Sequence, residues 1–179
     1  MKKFVVISGS GPDQVGLVDK ISNFLSERNL NIEDSRMAVL GGDFALILLV
    51  SGEEEEINWL EENISRLAED CGLNLTLRET RSPEERKLEK VLPYKLVVSG
   101  MDHPGIVHRF TSILHRYQVN IESMESRVYP APLSGTPIFV MECRVSVPAS
   151  VKLAELKSEL AHRAEEENLD LEFEPLELG

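Results

Sequence analysis

The chain has 179 residues, which is enough for one ordinary domain or two small ones with a sizeable apolar core. Its 42% hydrophobic and 28% charged residues, with only 11 Gly and 9 Pro, exclude collagenous, disordered and low-complexity chains. The 31 acidic and 19 basic residues give a net charge of −12, which repels phosphate backbones and anionic lipids, so we expect no direct contact with nucleic acid or membranes.

The first half of the chain predicts the order strand, helix, strand, strand, helix, strand. A short apolar run precedes a glycine-bearing turn, and apolar residues between Leu17 and Leu25 then recur at helical spacing. The next two strands flank Gly41-Gly42, which suits a tight hairpin. Ser51-Gly52-Glu53-Glu54 has the spacing of a capping box, and Gly72 ends the helix that it opens. The predicted strands are residues 4–7, 32–40, 44–50 and 73–77.

The second half repeats this order, with predicted strands at residues 94–98, 121–129, 139–147 and 169–173. Its hairpin tip, residues 130–137, is longer and rich in proline. Between the halves, Ser82-Pro83-Glu84-Glu85 spaces a cap and an acid, which predicts a short charged helix over residues 83–91. We therefore expect a first domain over residues 1–80, a charged linker over 81–93 and a second domain over 94–179.

The two halves are an internal repeat. A shift of 89 positions superimposes nine identical residues within 24 positions, without a gap. After that stretch, Ser35-Arg36 matches Ser126-Arg127 only if two residues are inserted in the second copy, and an even insertion keeps each strand residue on its own face. The identical residues are Ser10, Gly11, Asp13, Gly16, Val18, Leu25, Asn31, Ile32 and Glu33 with Ser99, Gly100, Asp102, Gly105, Val107, Leu114, Asn120, Ile121 and Glu122.

The predicted fold class is α+β, with two ferredoxin-like βαββαβ units. Each unit is expected to form an antiparallel four-stranded sheet with both helices on one face. Residues 44–50 are apolar on both faces of their strand, so the face away from the helices is expected to meet another surface. This predicts a homo-oligomer or intramolecular pairing of the two copies.

Two short segments carry a family resemblance, and both occur once in each copy. They are the turn Gly11-Pro12-Asp13-Gln14-Val15-Gly16 with Asn31-Ile32, and Gly100-Met101-Asp102-His103-Pro104-Gly105 with Asn120-Ile121. A glycine turn, a helix and then Asn-Ile at the next strand resemble the ACT domain, a regulatory module that binds small molecules. The tandem arrangement, with the stretch from Asn31 to Met37 and the strand of Ser126-Arg127, resembles the glycine cleavage system transcriptional repressor family.

That resemblance implies an amino-acid-sensing regulatory protein, with glycine as the first ligand to consider. It also implies that the chain controls a transcriptional activator through protein contact, without touching DNA itself. The charge independently opposes contact with DNA, because residues 1–80 hold 7 basic and 15 acidic residues. The alternative is an interaction module that binds a partner and no small ligand.

The resemblance further implies a ligand site against the first turn and the Asn-Ile position, at an interface between domains. Backbone N–H groups at a helix start can receive a carboxylate, although Pro104 offers none. Aspartates in the turns can hold an ammonium group, and the asparagine amides offer a donor and an acceptor. The candidate ligand-binding residues are Gly11, Asp13, Val15, Asn31 and Ile32 in the first copy and Asp102, His103, Asn120 and Ile121 in the second.

Structural roles compete for the same residues. Asp13 and Asp102 stand just before predicted helices, where aspartate can cap the free N–H groups. The two asparagines can end helices or tolerate strained turns. Gly16 and Gly105 can serve the close packing of helix and strand.

Other function classes lack their motifs. The histidines show no metal-ligand spacing, and the two copies share no nucleophile elbow, phosphate loop or catalytic triad, so we predict no enzyme, no metal and no cofactor. Gly9-Ser10-Gly11 lacks dinucleotide-binding spacing, and residues 44–50 lack the aromatic and basic side chains of an RNA-binding sheet. With no signal-peptide core after Met1, and with Cys71 and Cys143 isolated, we expect a cytoplasmic chain.

Overall fold

The computed structural model describes residues 2–83 and 90–176. The chain divides into two units, Met1–Lys87 and Leu88–Gly179. Most of the short helix expected in the linker, residues 84–89, lies outside the described residues.

The first unit has the order βαββαβ. Its sheet has the strand order β2-β3-β1-β4, with every pair antiparallel. The elements are β1 Lys3–Pro12, α1 Leu17–Ser26, β2 Asn31–Leu40, β3 Asp43–Gly52, α2 Glu54–Cys71 and β4 Asn74–Thr80.

The second unit repeats that topology, with the strand order β6-β7-β5-β8. Its first strand begins at Val91, so the last three residues of the expected linker already pair with β7. Two antiparallel four-stranded sheets with two helices each confirm the predicted α+β, ferredoxin-like class. The elements are β5 Val91–Met101, α3 Ile106–Arg116, β6 Asn120–Pro130, β7 Pro137–Pro148, α4 Leu153–Glu166 and β8 Asp170–Pro175.

Each core lies between one face of the sheet and its two helices. In the first unit Val5, Ile7, Leu48 and Val50 have no exposed surface, and each contributes about 1.5–3 kcal/mol by burial. The strand residues between them point the other way, and Ile47 is 48% exposed. That second apolar face is the basis of the expected self-association or pairing of copies, which stays a prediction.

The strand pairing shows that the two-residue insertion expected before Ser126-Arg127 is wrong. The bulge between Ile32 and Asp34 has its counterpart between Ile121 and Ser123, so β2 and β6 keep the 89-residue shift throughout. Ser126-Arg127 therefore corresponds to Met37-Ala38 and not to Ser35-Arg36. The residues by which the second hairpin is longer all lie at its tip. The identities in this stretch are too few to fix the position of the gap from the sequence, which is why the expected insertion was misplaced.

The helix starts differ from the expected caps. Gly16 and Gly105 occupy the N-cap positions of α1 and α3 with φ of 91° and 96°, a left-handed conformation that favours glycine. An added Cβ on Gly16 would meet nothing within 4 Å, so backbone conformation and not close packing explains this residue. Asp13 and Asp102 are thus not N-caps, and their backbone N–H groups instead donate to carbonyls of the hairpin tips.

The capping box expected at Ser51 is also wrong. Glu53 takes the N-cap position of α2, and the Ser51 hydroxyl donates to Glu33 Oε1 at 2.5 Å. Three acidic residues, Glu54 to Glu56, fill the first turn of α2, where they complement the positive end of the helix.

A hydrogen-bonded glutamate marks the bulge at the start of each edge strand. Glu33 accepts hydrogen bonds from Lys2, Ser51 and Asn31, which hold its pKa at about 2. In the second copy, Glu122 accepts from Asn120 at 2.7 Å and from Ser146 at 2.9 Å. The asparagines therefore begin strands and anchor the bulges. The residues with left-handed backbone after α1 and α3 are Asn29 and Gln118, two positions before Asn31 and Asn120. The expectation that Asn31 and Asn120 end helices or occupy strained turns is therefore wrong.

Substituting Gly9 by Ala should destabilise the first unit. An added Cβ would lie 2.3 Å from the carbonyl oxygen of Asn74 on the neighbouring strand, so the backbone must shift at a cost of about 1–3 kcal/mol. Urea unfolding followed by circular dichroism measures the change. Ser10→Ala is the control, because Ser10 is exposed on the same strand, and it should stay within about 0.5 kcal/mol of the wild type. Equal stability of the Gly9→Ala variant would contradict this close contact between the strands.

Substituting Ser51 by Ala should raise the pKa of Glu33, because one of its hydrogen-bond donors is removed. The folded-state pKa of about 2 lies below the ordinary 4.5, so this carboxylate stabilises the fold fully above about pH 4.5 and loses that effect as the pH falls toward 2. A carbon-detected NMR titration of the Glu33 carboxyl group measures the shift. Ser146→Ala, the matched change in the second copy, should leave the Glu33 titration unchanged; an unaltered curve in Ser51→Ala would refute the network.

Candidate functional site

The turn between β5 and α3 opens one side of a cavity of about 590 Å³ in the second unit. The left-handed Gly105 redirects the chain from the strand into the helix, so that the turn and the first residues of α3 share this cavity. Its volume falls within the usual range for small-molecule sites. The lining residues are Asp102, His103, Gly105, Ile106, Val107, His108, Thr111, Val128 and Phe139.

We call this space the turn cavity, and it combines polar and apolar walls. The Asp102 carboxylate is the acidic group of the lining, and the backbone of Asp102 is fixed by a 3.0 Å hydrogen bond to the carbonyl of Pro137. Ile106 and Phe139 are buried core residues whose edges form the apolar wall. A small molecule with a cationic group and an apolar part matches this arrangement.

His103 is held in place by side chains from both helices of its unit. Its Nε2 lies 3.4 Å from Glu167 Oε2, at the end of α4, and its Nδ1 lies 3.4 Å from Arg109 Nη1. Arg109 itself donates to Glu167 at 2.7 Å, and the Glu167 side chain is only 15% exposed. The sequence reading missed Arg109 and Glu167, because no local spacing connects residues so far apart in the chain.

A second cavity, of about 490 Å³, lies further along α3 and is named here the strand cavity. Asn120 and Ile121 line it, together with His115 and Val119. His108 and Thr111 line both cavities, so the two are neighbours along one exposed side of the helix.

Within one unit the expected ligand-binding residues form two separate groups. Asp102 lies beside the hairpin tip, where the Pro130–Pro137 pair closes the sheet, whereas Asn120 begins β6 at its opposite end. The eleven residues of β6 span on the order of 30 Å at 3.3 Å per residue. One small amino acid therefore cannot contact both Asp102 and Asn120 of the same unit.

The first copy separates its candidates in the same way. Gly11 packs tightly, because an added Cβ would lie 2.7 Å from the carbonyl oxygen of Gly72. Asp13 and Val15 are exposed in the turn, whereas Asn31 and the half-buried Ile32 lie at the start of β2. The turn of this copy lacks the histidine of the second, since Gln14 stands where the second copy has His103.

The described residues offer neither a metal-ligand cluster nor a reactive thiol. Within residues 2–83 and 90–176, no three His, Cys, Asp or Glu side chains come together as a metal site. Cys71 and Cys143 are buried, and burial raises the pKa of the Cys143 thiol to about 11, so this thiol is unreactive at neutral pH. None of the described helices is both long and apolar enough to cross a bilayer.

Comparison with known sequences identifies the repeated unit. The family model of the ACT domain matches the chain twice, at residues 3–78 and 96–174. The glycine cleavage system transcriptional repressor of Escherichia coli strain K12 is 27% identical over 154 residues, which cover 86% of this chain and 80% of the repressor. The UPF0237 protein MK1213 of Methanopyrus kandleri is 33% identical over 75 residues, 41% of this chain and 83% of that relative.

Comparison with solved structures supports the fold of both units. An unknown protein from Galdieria sulphuraria superimposes with a TM-score of 0.82 at 33% identity, covering 98% of this chain and 99% of that one. A protein assigned to the glycine cleavage system transcriptional repressors superimposes with a TM-score of 0.68, covering 98% of each chain. Its 20% identity supports the shared fold alone.

The relatives from Escherichia coli and Shigella flexneri, which match over both copies, are transcriptional repressors. This agrees with a sequence in which the two copies share no catalytic motif. The chain therefore belongs to the ACT-domain family, as a regulatory protein with two tandem copies of the domain that is related to the glycine cleavage system transcriptional repressor.

Proposed function

We propose that this protein is a cytoplasmic, amino-acid-responsive regulator that controls a transcriptional activator through protein contact. Its relationship to a transcriptional repressor supports the regulatory role. The net charge of −12 supports contact with a protein and opposes direct contact with DNA.

The proposed ligand site is the turn cavity of the second unit. The observation that carries this proposal is the presence of a carboxylate, a helix start and an apolar wall in one cavity. The Asp102 carboxylate receives the ligand's ammonium group, as a charge-assisted hydrogen bond requires. The first-turn N–H groups of α3 receive the ligand's carboxylate, because they have no partner within the helix.

In a ligand larger than glycine, the side chain faces Ile106, Val128 and Phe139. Glycine is the first ligand to test, because the related repressor is named for the glycine cleavage system. The cavity volume of about 590 Å³ also has room for amino acids with small apolar side chains. His103, fixed by Arg109 and Glu167, sets the polar rim of the site.

An interaction module without any small ligand is the second candidate. One observation favours it: the amide of Asn120 already donates to Glu122, and that of Asn31 to Glu33. Both asparagines are therefore engaged within the protein, and in this alternative the pattern that the two copies share serves folding alone.

Calorimetric titration with the twenty common amino acids tests the sensor. We expect binding heat with glycine or a small apolar amino acid. Asp102→Asn should weaken binding roughly tenfold to hundredfold, because a hydrogen bond to a charged group contributes about 1.5–3 kcal/mol. The absence of heat with all twenty would contradict the sensor and favour the interaction module.

Two variants locate the ligand. Asp13→Asn alters the same turn position of the first copy and should leave the affinity unchanged. Asn120→Ala should also leave it unchanged, because Asn120 lines the strand cavity, at the far end of β6. A loss of affinity in Asn120→Ala with a normal Asp102→Asn would move the ligand to the strand cavity.

A further inference from the structure

The tip of the β6–β7 hairpin and the strand residues that flank it carry no charge, in an otherwise strongly acidic chain. Residues 128–141 include no Asp, Glu, Lys or Arg, although 28% of all residues are charged. Eight of these residues, 130–137, connect the Tyr129–Ile138 pair of the hairpin. At the tip, Leu133 is fully exposed.

The tip is held by hydrogen bonds across its own loop. The N–H of Ala131 donates to the carbonyl of Thr136 at 2.8 Å, and that of Gly135 donates to Ala131 at 2.9 Å. The Ser134 hydroxyl accepts a further bond from the N–H of Thr136 at 3.2 Å. These bonds order the backbone of the loop that carries Leu133, so less conformational entropy is lost when the loop contacts another molecule.

An apolar row crosses three strands of the sheet at the base of this loop. Met101, Ile138 and Tyr129 are directly opposite one another on three neighbouring strands, and they share the face away from the helices. Met101 is 65% exposed and Tyr129 is 41% exposed. We call Leu133 and this row the tip patch.

The first copy provides an internal comparison. Its corresponding row is Pro12, Asp43 and Leu40, so a carboxylate stands in the middle where the second copy has Ile138. Its hairpin turn is only Gly41-Gly42. The same fold is therefore complete without an apolar tip, and folding does not explain why the second copy has one.

We propose that the tip patch is the docking surface for a protein partner that offers an apolar socket on a basic surface. The row brings a tyrosine and a methionine, two residue types that are enriched in protein interfaces, to the hairpin that carries the exposed leucine. A net charge of −12 attracts a basic protein at long range and disfavours a second copy of this chain or an anionic membrane at the tip patch. The self-association or pairing of copies expected above rests instead on the apolar face of residues 44–50 in the first unit.

A basic surface is characteristic of proteins that bind nucleic acid. The proposed function already makes the partner a transcriptional activator, and we therefore assign the socket to a DNA-binding regulator; this inference rests on the protein-contact part of the proposed function. The next row on the same face carries two exposed charged residues, Arg127 on β6 and Asp170 on β8. Neither interrupts the apolar row.

Site-specific cross-linking in cells of the source organism tests the surface. A photoreactive amino acid replaces Leu133 in one version of the full chain and Leu40, the 77% exposed residue at the first hairpin, in another. We expect the Leu133 version to cross-link one basic, DNA-binding protein and the Leu40 version not to do so. That protein is then purified for binding measurements with the unmodified chain.

In those measurements Leu133→Asp should weaken binding at least tenfold, and Leu40→Asp should leave it unchanged. Binding should also weaken as salt rises, because the long-range attraction is screened. Cross-links to a second copy, to lipid or to nothing at Leu133 would overturn the proposal, as would equal affinity of Leu133→Asp. If the Leu40 version captures the regulator instead, the proposed function stands and the tip patch is not its surface.

Calorimetry separates the remaining outcomes. Normal amino-acid binding by Leu133→Asp, with loss of the regulator, supports the tip patch as a contact surface distinct from the turn cavity. Loss of amino-acid binding in Leu133→Asp would show that the substitution damages the unit as a whole and would contradict that separation.

Discussion

Each unit depends on burying one face of a four-stranded sheet beneath two helices. The alternation of side chains along a strand puts Val5, Ile7, Leu48 and Val50 in the core of the first unit. The helices must lie close to that face, so the turns that lead into them are tightly constrained. The left-handed glycine before α1 and α3 satisfies this constraint in both copies, and it places the turn at the edge of a cavity in the second.

The sequence was sufficient to predict the fold class, the repeat and the order of elements. Apolar periodicity reports burial directly, and burial is what defines these strands and helices. The same reasoning failed at helix starts, because the spacing of Ser51 and Glu54 matches a capping box while the Ser51 hydroxyl is engaged by Glu33. A local pattern could not reveal that competing partner on a neighbouring strand.

The candidate site was harder to predict than the fold. Sequence identity grouped the turn residues with the asparagines, although the structure puts them at opposite ends of each edge strand. Asn31 and Asn120 each donate a hydrogen bond to the glutamate at the bulge of their strand. Sequence identity between the two copies does not distinguish this folding role from contact with a ligand. Glu167 was missed because its link to His103 exists only after α3 and α4 pack together.

The difference between the two hairpins has a consequence for divergence after duplication. Both copies keep the strand pairing and the bulge glutamate, and the added residues lie beyond the last paired rung, Pro130 with Pro137. Lengthening a surface loop costs little free energy, since the closure entropy grows only slowly with length. Selection could therefore reshape this loop while the cavity beside it stayed intact, so that the two proposed activities, partner contact at the tip and ligand binding in the cavity, can evolve at separate rates within a single domain.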